Sequence, residues 1–292
     1  MHTIDLAYVG RGLHEELVAY VADQEGYFED EGVHVAMRDG TRWHTERLRA
    51  GAMIGHGRAL LSRLTEDIEW TGLSVTTDRP LFWFLGGPDV TSMADLRGRR
   101  LAVHAPDNPP GCFARIVLRQ HGLDPDRDVE SLVRHPGDYQ MDLRNLRDGS
   151  IDAAYVGSSI GPEQVAEEEG FHMLSWVGDS FRIPTVGIVV DPTRNPIDSP
   201  AVQGLVRANR RVLQLLSDRP DVTIEYLAAF LSRLTREEVH RYYERYVAPY
   251  FTSDGHVDLD AAQQGIDAVA AELGVPPIPA GSIYVPITAG FG

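Results

Sequence analysis

Apolar and polar residues alternate over TIDLAYVG, residues 3–10, a period of two that predicts a β-strand. The period then lengthens. In LHEELVAYVADQEGYF the apolar positions Leu13, Leu17, Val18, Val21 and Ala22 recur every three to four residues, the spacing of one helix face. A strand feeding a helix opens an α/β unit. Gly26 and Gly32 punctuate the next turn, VHVAM resumes as a strand, and TERLRAG reads as a short helix ended by Gly51. AMIGHG is then a third strand running into a loop, with RALLSRL as the helix behind it.

WTGLSVTTDRPLFWFLGG contains two strand-like runs parted by a turn at Asp78 to Pro80, and it stops at the breaker Gly86-Gly87-Pro88. The pattern places a first crossing between domains there. A second alternation follows. TSMADLRGRRLAVH reads as a capped short helix, a basic turn and a buried strand, followed by the loop APDNPPG and the helix CFARIVLRQHG. VESLVRH, DYQMDLRNLRDG, IDAAYVG and PEQVAEEEG continue as strand, helix, strand and helix. FRIPTVGIVV is expected to return the chain to the first domain, and SPAVQGLVRANRRVLQLLSDRP and later segments are strongly helical.

This arrangement predicts an α/β protein of two lobes with mainly parallel sheets, joined by a two-crossing hinge around a ligand cleft. Lobe 1 is expected to take residues 1–86 and 187–292, and lobe 2 residues 87–186. A pair of related junctions fits two similarly built lobes. LRAGAMIGHG and LRDGSIDAAYVG both begin Leu-Arg-x-Gly-x, but Asp152 of the second is replaced by Ile54 in the first, which continues Gly55-His56-Gly57.

Several of these segments carry a family likeness. AYVADQEGYFEDEGVHV resembles the opening of solute-binding proteins of ABC importers in the sulfonate, nitrate and thiamine-precursor group, where an A-x-x-x-G-Y-F-x-x-x-G-x-x-V run follows the first strand. SMADLRGRRLAVH, LRQHGLDPDRDVESL, LRDGSIDAAYVGSS and AVQGLVRANRRVLQLLSDRPD resemble later landmarks of the same group, in order along nearly the whole chain. The resemblance implies the type II periplasmic-binding-protein fold. That fold also serves enzymes, among them aromatic sulfinate desulfinases, dihydroxyphthalate decarboxylases, menaquinone-pathway enzymes and fungal thiamine-pyrimidine synthases. AMIGHG is similar to the A-M-I-H run of the pyrimidine synthases. It departs from them in having Gly51 where their lysine stands, a histidine displaced by one glycine, and no cysteine-rich motif. The loop GRGLH lacks the cysteine that desulfinases of this fold carry after the first strand.

Composition narrows the chemistry. With 43% apolar and 24% charged residues over 292 positions, the chain has the make-up of a globular protein large enough for two cores. A net charge of −16 argues against nucleic acid or an anionic membrane as partner. All 27 basic residues are arginine, which excludes a pyridoxal-phosphate aldimine and every other lysine-amine mechanism. MHTIDLAYVG contains no signal-peptide pattern, so the expected location is the cytoplasm, or the periplasm or a lipid anchor if a signal precedes this sequence. No metal motif and no phosphate loop is present, and neither metal nor cofactor is expected.

The candidate catalytic residue is His56, expected at the carboxyl end of a strand and just before a helix, where open α/β sheets bind ligands. Gly55 and Gly57 would admit a ligand close to the backbone, and Arg58 would hold a carboxylate or sulfonate. Arg11 and His14 follow the first strand, and Trp43 and His44 the second, where an aromatic wall suits a flat ligand. From the other lobe come Asp107, Asn108 and Cys112 in the loop after LAVH, Tyr155 and Ser158 at the end of IDAAYVG, and Arg182 near the second crossing. Each has a structural alternative: helix start, core filler or solvated surface.

Two functions remain. One is a cytosolic enzyme acting on a small aromatic or carboxylated substrate by cofactor-independent lyase chemistry, decarboxylation or elimination, with histidine as acid or base. The other is an importer's substrate-binding protein, partnered by an ABC permease, or a ligand sensor without catalysis.

Overall fold

The computed structural model describes residues 1–10, 12–134 and 139–285. β1 (His2–Tyr8) leads into α1 (Leu13–Gln24), α2 (Tyr27–Asp30) and β2 (Val33–Asp39). Next come α3 (Thr45–Leu48), β3 (Ala52–Ile54), α4 (His56–Thr65) and β4 (Thr71–Thr77). α1 is helical because Leu13, Leu17, Val18 and Val21 form one stripe, and this stripe is buried against the sheet.

β5 (Phe82–Gly86) begins the second alternation, with a 3₁₀ turn at Met93–Leu96 before β6 (Arg100–Val103) and α5 (Pro109–Gln120). Asn108 caps α5 by accepting the Gly111 N–H at 3.0 Å, and prolines fill its first two positions, where no intrahelical donor is needed. β7 (Glu130–Val133), α6 (Tyr139–Arg147), β8 (Ala153–Gly157), α7 (Pro162–Glu169), β9 (His172–Trp176) and α8 (Val177–Ser180) follow. β10 (Val186–Val190) precedes the helices α9 (Pro200–Asp218), α10 (Pro220–Phe230) and α11 (Arg236–Tyr242). A π turn at Tyr243–Val247 then leads to α12 (Leu259–Leu273) and α13 (Ala280–Ile283).

The strands form two five-stranded sheets, ordered β2-β1-β3-β10-β4 and β7-β6-β8-β5-β9. In each sheet four strands share one direction and a single strand opposes them: β10 in the first, β5 in the second. Each opposing strand is the one that has just crossed from the other sheet. This is the expected pair of mainly parallel sheets, with antiparallel pairing confined to the crossing strands.

Two boundaries differ from expectation. LFWFLG lies in the second sheet, Phe82 pairing with Gly157 and Gly86 with Ala153, so the first crossing falls at residues 78–81 and not at 86/87. A glycine breaker marks the end of a strand, but which sheet the strand joins depends on its partners. The C-terminal helices also do not all stay with the first sheet. Ala262, Ile266 and Val269 of α12 pack in one cluster with Phe113, Ile116 and Val117 of α5. The crossing is pinned by Arg182, whose Nε lies 3.0 Å from Asp78 and whose Nη1 lies 2.9 Å from Asp258.

Candidate functional site

A cavity of about 180 Å³ lies between the two sheets. The first turn of α1 and the loop before it, the start of α4 and Thr185 close it from the first sheet. The start of α5, Phe82, His104, Tyr139 and the end of β8 close it from the second. The lobes approach closely beside it: a Cβ on Gly57 would stand 2.9 Å from the Pro109 side chain. A volume near that of a dry pocket that takes up benzene suits a ligand of about one ring.

Polar groups from both sides meet in this space. His14 Nδ1 lies 2.6 Å from the Ser158 hydroxyl, and burial drives its pKa down to about 3, so its ring is neutral. Glu15 follows on the same turn. Its carboxylate lies over Gly10, where a Cβ would meet Glu15 Oε2 at 2.1 Å, and it accepts the Gly12 N–H at 3.3 Å. Burial pushes this carboxyl up to about 8 against the smaller pull of that hydrogen bond. Across the cavity, His104 Nε2 is 3.3 Å from the Tyr139 hydroxyl and 3.4 Å from Nη1 of Arg134. Desolvation, aided by the Arg134 charge, lowers the His104 pKa to about 3, while Arg134 itself pairs with Asp142. Arg58, partly buried in the first turn of α4, lines the cavity with no hydrogen-bond or ion-pair partner among the described residues.

The structure brings together His14, Gly55, Gly57, Arg58, Asn108 and Ser158 from the sequence-derived set. Arg11 lies outside the described residues. The others are placed elsewhere, for identifiable reasons.

His56, the expected acid–base residue, is 1% exposed and points away from the cleft. Its ring enters the gap left by two glycines: a Cβ on Gly72 would come within 2.6 Å of Cε1, and one on Gly187 within 2.7 Å of Nε2. There Nε2 donates to the Ser74 carbonyl at 2.8 Å, and Nδ1 has no partner among the described residues. Burial outweighs that hydrogen bond and lowers its pKa to about 4. The His56 backbone N–H, bonded to Thr185 O at 3.0 Å, fixes the start of α4, so His56 supports the cavity wall without reaching through it.

Trp43 packs beside Leu48 and Met53 with the Arg47 guanidinium 3.7 Å above its ring, and it borders a separate surface recess. His44 is exposed and caps α3 by accepting the Arg47 N–H. Asp107 is exposed outside the cavity. Cys112 is fully buried, its thiol pushed up to about 12 by desolvation, which removes it as a nucleophile. Tyr155 is buried behind Phe82, the rings stacked 5.3 Å apart. Arg182 belongs to the crossing described above.

Glu15, Phe82, His104 and Tyr139 are site residues that sequence reasoning missed. Glu15 occupies a first-turn position where an acid ordinarily serves the helix dipole. His104 did carry a usable signal, a polar residue at the carboxyl end of the strand LAVH. Among the described residues, no three His, Cys, Asp or Glu side chains come together as metal ligands.

Residues 76–209 match the family profile described as the periplasmic substrate-binding protein of a phosphonate ABC transporter. No curated protein sequence matches the chain. Solved structures are similar along its full length. A protein from Bordetella bronchiseptica RB50 aligns with TM-score 0.77 and 18% identity, over 98% of this chain and 95% of its own. The alkanesulfonate-binding protein SsuA from Xanthomonas axonopodis pv. citri, bound to MOPS, aligns with TM-score 0.74 and 16% identity, over 97% and 98%. The desulfurization enzyme DSZB also aligns with TM-score 0.74, at 17% identity over 98% and 97%. The chain therefore has the periplasmic-binding-protein fold, which is shared by importers' binding proteins and by an enzyme.

Proposed function

We propose that the protein captures a small organic anion in the cleft between its sheets, the acid group resting on Arg58 and the opening turns of α4 and α5. The observation that carries this reading is Arg58 itself. It lines the cavity with no hydrogen-bond or ion-pair partner among the described residues, whereas Arg49, Arg115 and Arg182 are each bound to carboxylates. A guanidinium beside helix N-termini suits a carboxylate, sulfonate or phosphonate. The matched profile and the sulfonate-binding structure of the same fold support that class. In this reading the protein delivers its ligand to an ABC permease outside the cytoplasm, or reports the ligand's presence.

A second reading, turnover by a cofactor-free lyase in the cytoplasm, is favoured by Glu15. A carboxyl held up to about 8 is protonated at neutral pH. In a decarboxylation the C–C bond would release carbon dioxide, the electron pair would remain on carbon, and Glu15 would supply the proton and regain one from water. This role passes from His56, which does not face the cleft.

Thermal-shift screening of short-chain and one-ring carboxylates, sulfonates and phosphonates, followed by mass analysis of the recovered ligand, separates the two readings. Binding with unchanged recovery supports capture, and a product one acid group lighter supports the lyase. Arg58→Gln should weaken binding by about tenfold or more. If no anion stabilises the protein, or if Arg58→Gln binds as well as the parent, the site is not an anion site.

A further inference from the structure

Among the described residues that line the cavity, one hydrogen bond runs directly from one side to the other. His14, in the first turn of α1, meets Ser158 at the end of β8, and both are enclosed: 2% of His14 and none of Ser158 is exposed. The bonds from Gly12 to Glu15 and between His104 and Tyr139 each stay within one side. Gly12 makes the crossing contact possible. A Cβ there would stand 2.8 Å from His14 Cε1 and 2.9 Å from the Ser158 hydroxyl oxygen. Its backbone, at φ −106° and ψ 148°, is extended and open to any residue, so the glycine serves the approach of the two sides and not a turn.

The groups around His14 offer no counter-charge. Beside it on α1, Glu15 is raised to about 8 and so is protonated at neutral pH, and Glu16 of the same turn does not line the cavity. Arg58 of α4 lines the cavity as a cation. From the second sheet come the Phe82 ring, edge-on at 6.3 Å, and the neutral His104 and Tyr139, with the Arg134 cation behind His104. An imidazolium held there would be buried among cations and neutral groups. Parting the two sides would hydrate it.

We infer that His14 and Ser158 form a latch that holds the two sides of the cleft together, and that protonation of His14 releases it. The latch stands whatever the cavity binds, so its failure leaves the anion reading untouched. The sign follows from burial: enclosed, the imidazole titrates at about 3, and hydrated it returns to 6.5. Acid therefore favours the parted form, by about 25-fold more at pH 5 than at pH 7.

Distances between spin labels test the latch. Arg42→Cys and Asp107→Cys place labels on exposed positions next to Thr41 and Asn108, which line opposite sides of the cavity, and Cys112 is too buried to be labelled. Double electron–electron resonance should give one short distance at pH 7.5 and a second, longer one at pH 5, with native circular dichroism at both. Ser158→Ala removes the bond and Gly12→Ala inserts a wedge, and each should show the longer distance already at pH 7.5. His14→Asn, whose amide takes the place of Nδ1 and does not titrate, should keep the short distance at both pH values. A short distance in both Ser158→Ala and Gly12→Ala at pH 7.5 overturns the latch. An unchanged parental distance at pH 5, or loss of native circular dichroism before the longer distance appears, overturns its release by acid. Lengthening of His14→Asn at pH 5 as in the parent overturns His14 as the group that is protonated.

Discussion

His14 Nδ1 and the Ser158 hydroxyl, 2.6 Å apart and 144 residues distant in sequence, link the first turn of the helix after β1 to the end of β8 in the other sheet. Both side chains are buried, so the bond is a direct tie across the cleft. Ser158→Ala would leave the imidazole nitrogen unsatisfied, and such a loss costs about 1–3 kcal/mol. The expected result is a lower urea midpoint with an unchanged slope. An unaltered midpoint would mean that the tie contributes nothing.

His56 supports the fold and points away from the cleft proposed to take the ligand. Replacing it by alanine removes its bond to Ser74 O and empties the gap beside Gly72 and Gly187, for an expected loss of about 2–4 kcal/mol of stability. Ligand affinity of the folded protein should change by less than about twofold. A tenfold loss of affinity at unchanged stability would put the imidazole back in the cleft.

Gly187 tests the same contact from the other side. Its φ of +147° is disfavoured for side chains, and an added Cβ would stand 1.9 Å from the Ser74 carbonyl oxygen and 2.7 Å from His56 Nε2. Gly187→Ala should cost about 3 kcal/mol or more, since backbone must move. Near-parental melting would show that β10 and β4 can separate freely there.

The pH dependence follows from three neutral buried histidines. His14 and His104, each lowered to about 3, and His56, lowered to about 4, regain the ordinary value of 6.5 on unfolding. Between pH 6.5 and 4 the unfolded chain therefore binds more protons at these positions, so stability falls as pH falls through that window. Glu15 has the opposite sign: raised from 4.5 to about 8, it binds its proton more tightly in the folded state and loses stability as pH rises from 4.5 to 8. At pH 5.5 three histidines outweigh one carboxyl, for a net uptake of about two protons on unfolding, or roughly 2–3 kcal/mol per pH unit. Urea titrations at pH 5, 5.5, 6 and 7 measure the slope. A flat profile would mean that these imidazoles are protonated in the folded state.

Much of the architecture was legible in the chain because strand and helix are written as local periods. TIDLAYVG and LHEELVAYVADQ became β1 and α1, and the Asn108-Pro-Pro start of α5 is a local capping pattern. The cleft-facing loops were legible too, since ligand sites in such sheets lie at the carboxyl ends of strands. Gly55, Gly57, Arg58, Asn108 and Ser158 line one cavity. LFWFLG shows the limit: its strand character is local, but its sheet is chosen by pairing with β8, some 70 residues onward.

The sequence by itself determined that this is a two-sheet α/β chain without lysine, whose candidate ligand groups include arginine, histidine and carboxylate side chains. Only the tertiary structure decided which of those side chains face the cleft. His56 is turned inward because Gly72 and Gly187, on two other strands, leave room for its ring and Ser74 offers a carbonyl there. Glu15 lines the cavity and Gly10 leaves space for its carboxylate, while Tyr139 lines the same cavity from the other side. Periodicity is a property of neighbours along the chain, whereas the direction of one side chain at a helix start depends on atoms brought there from distant segments.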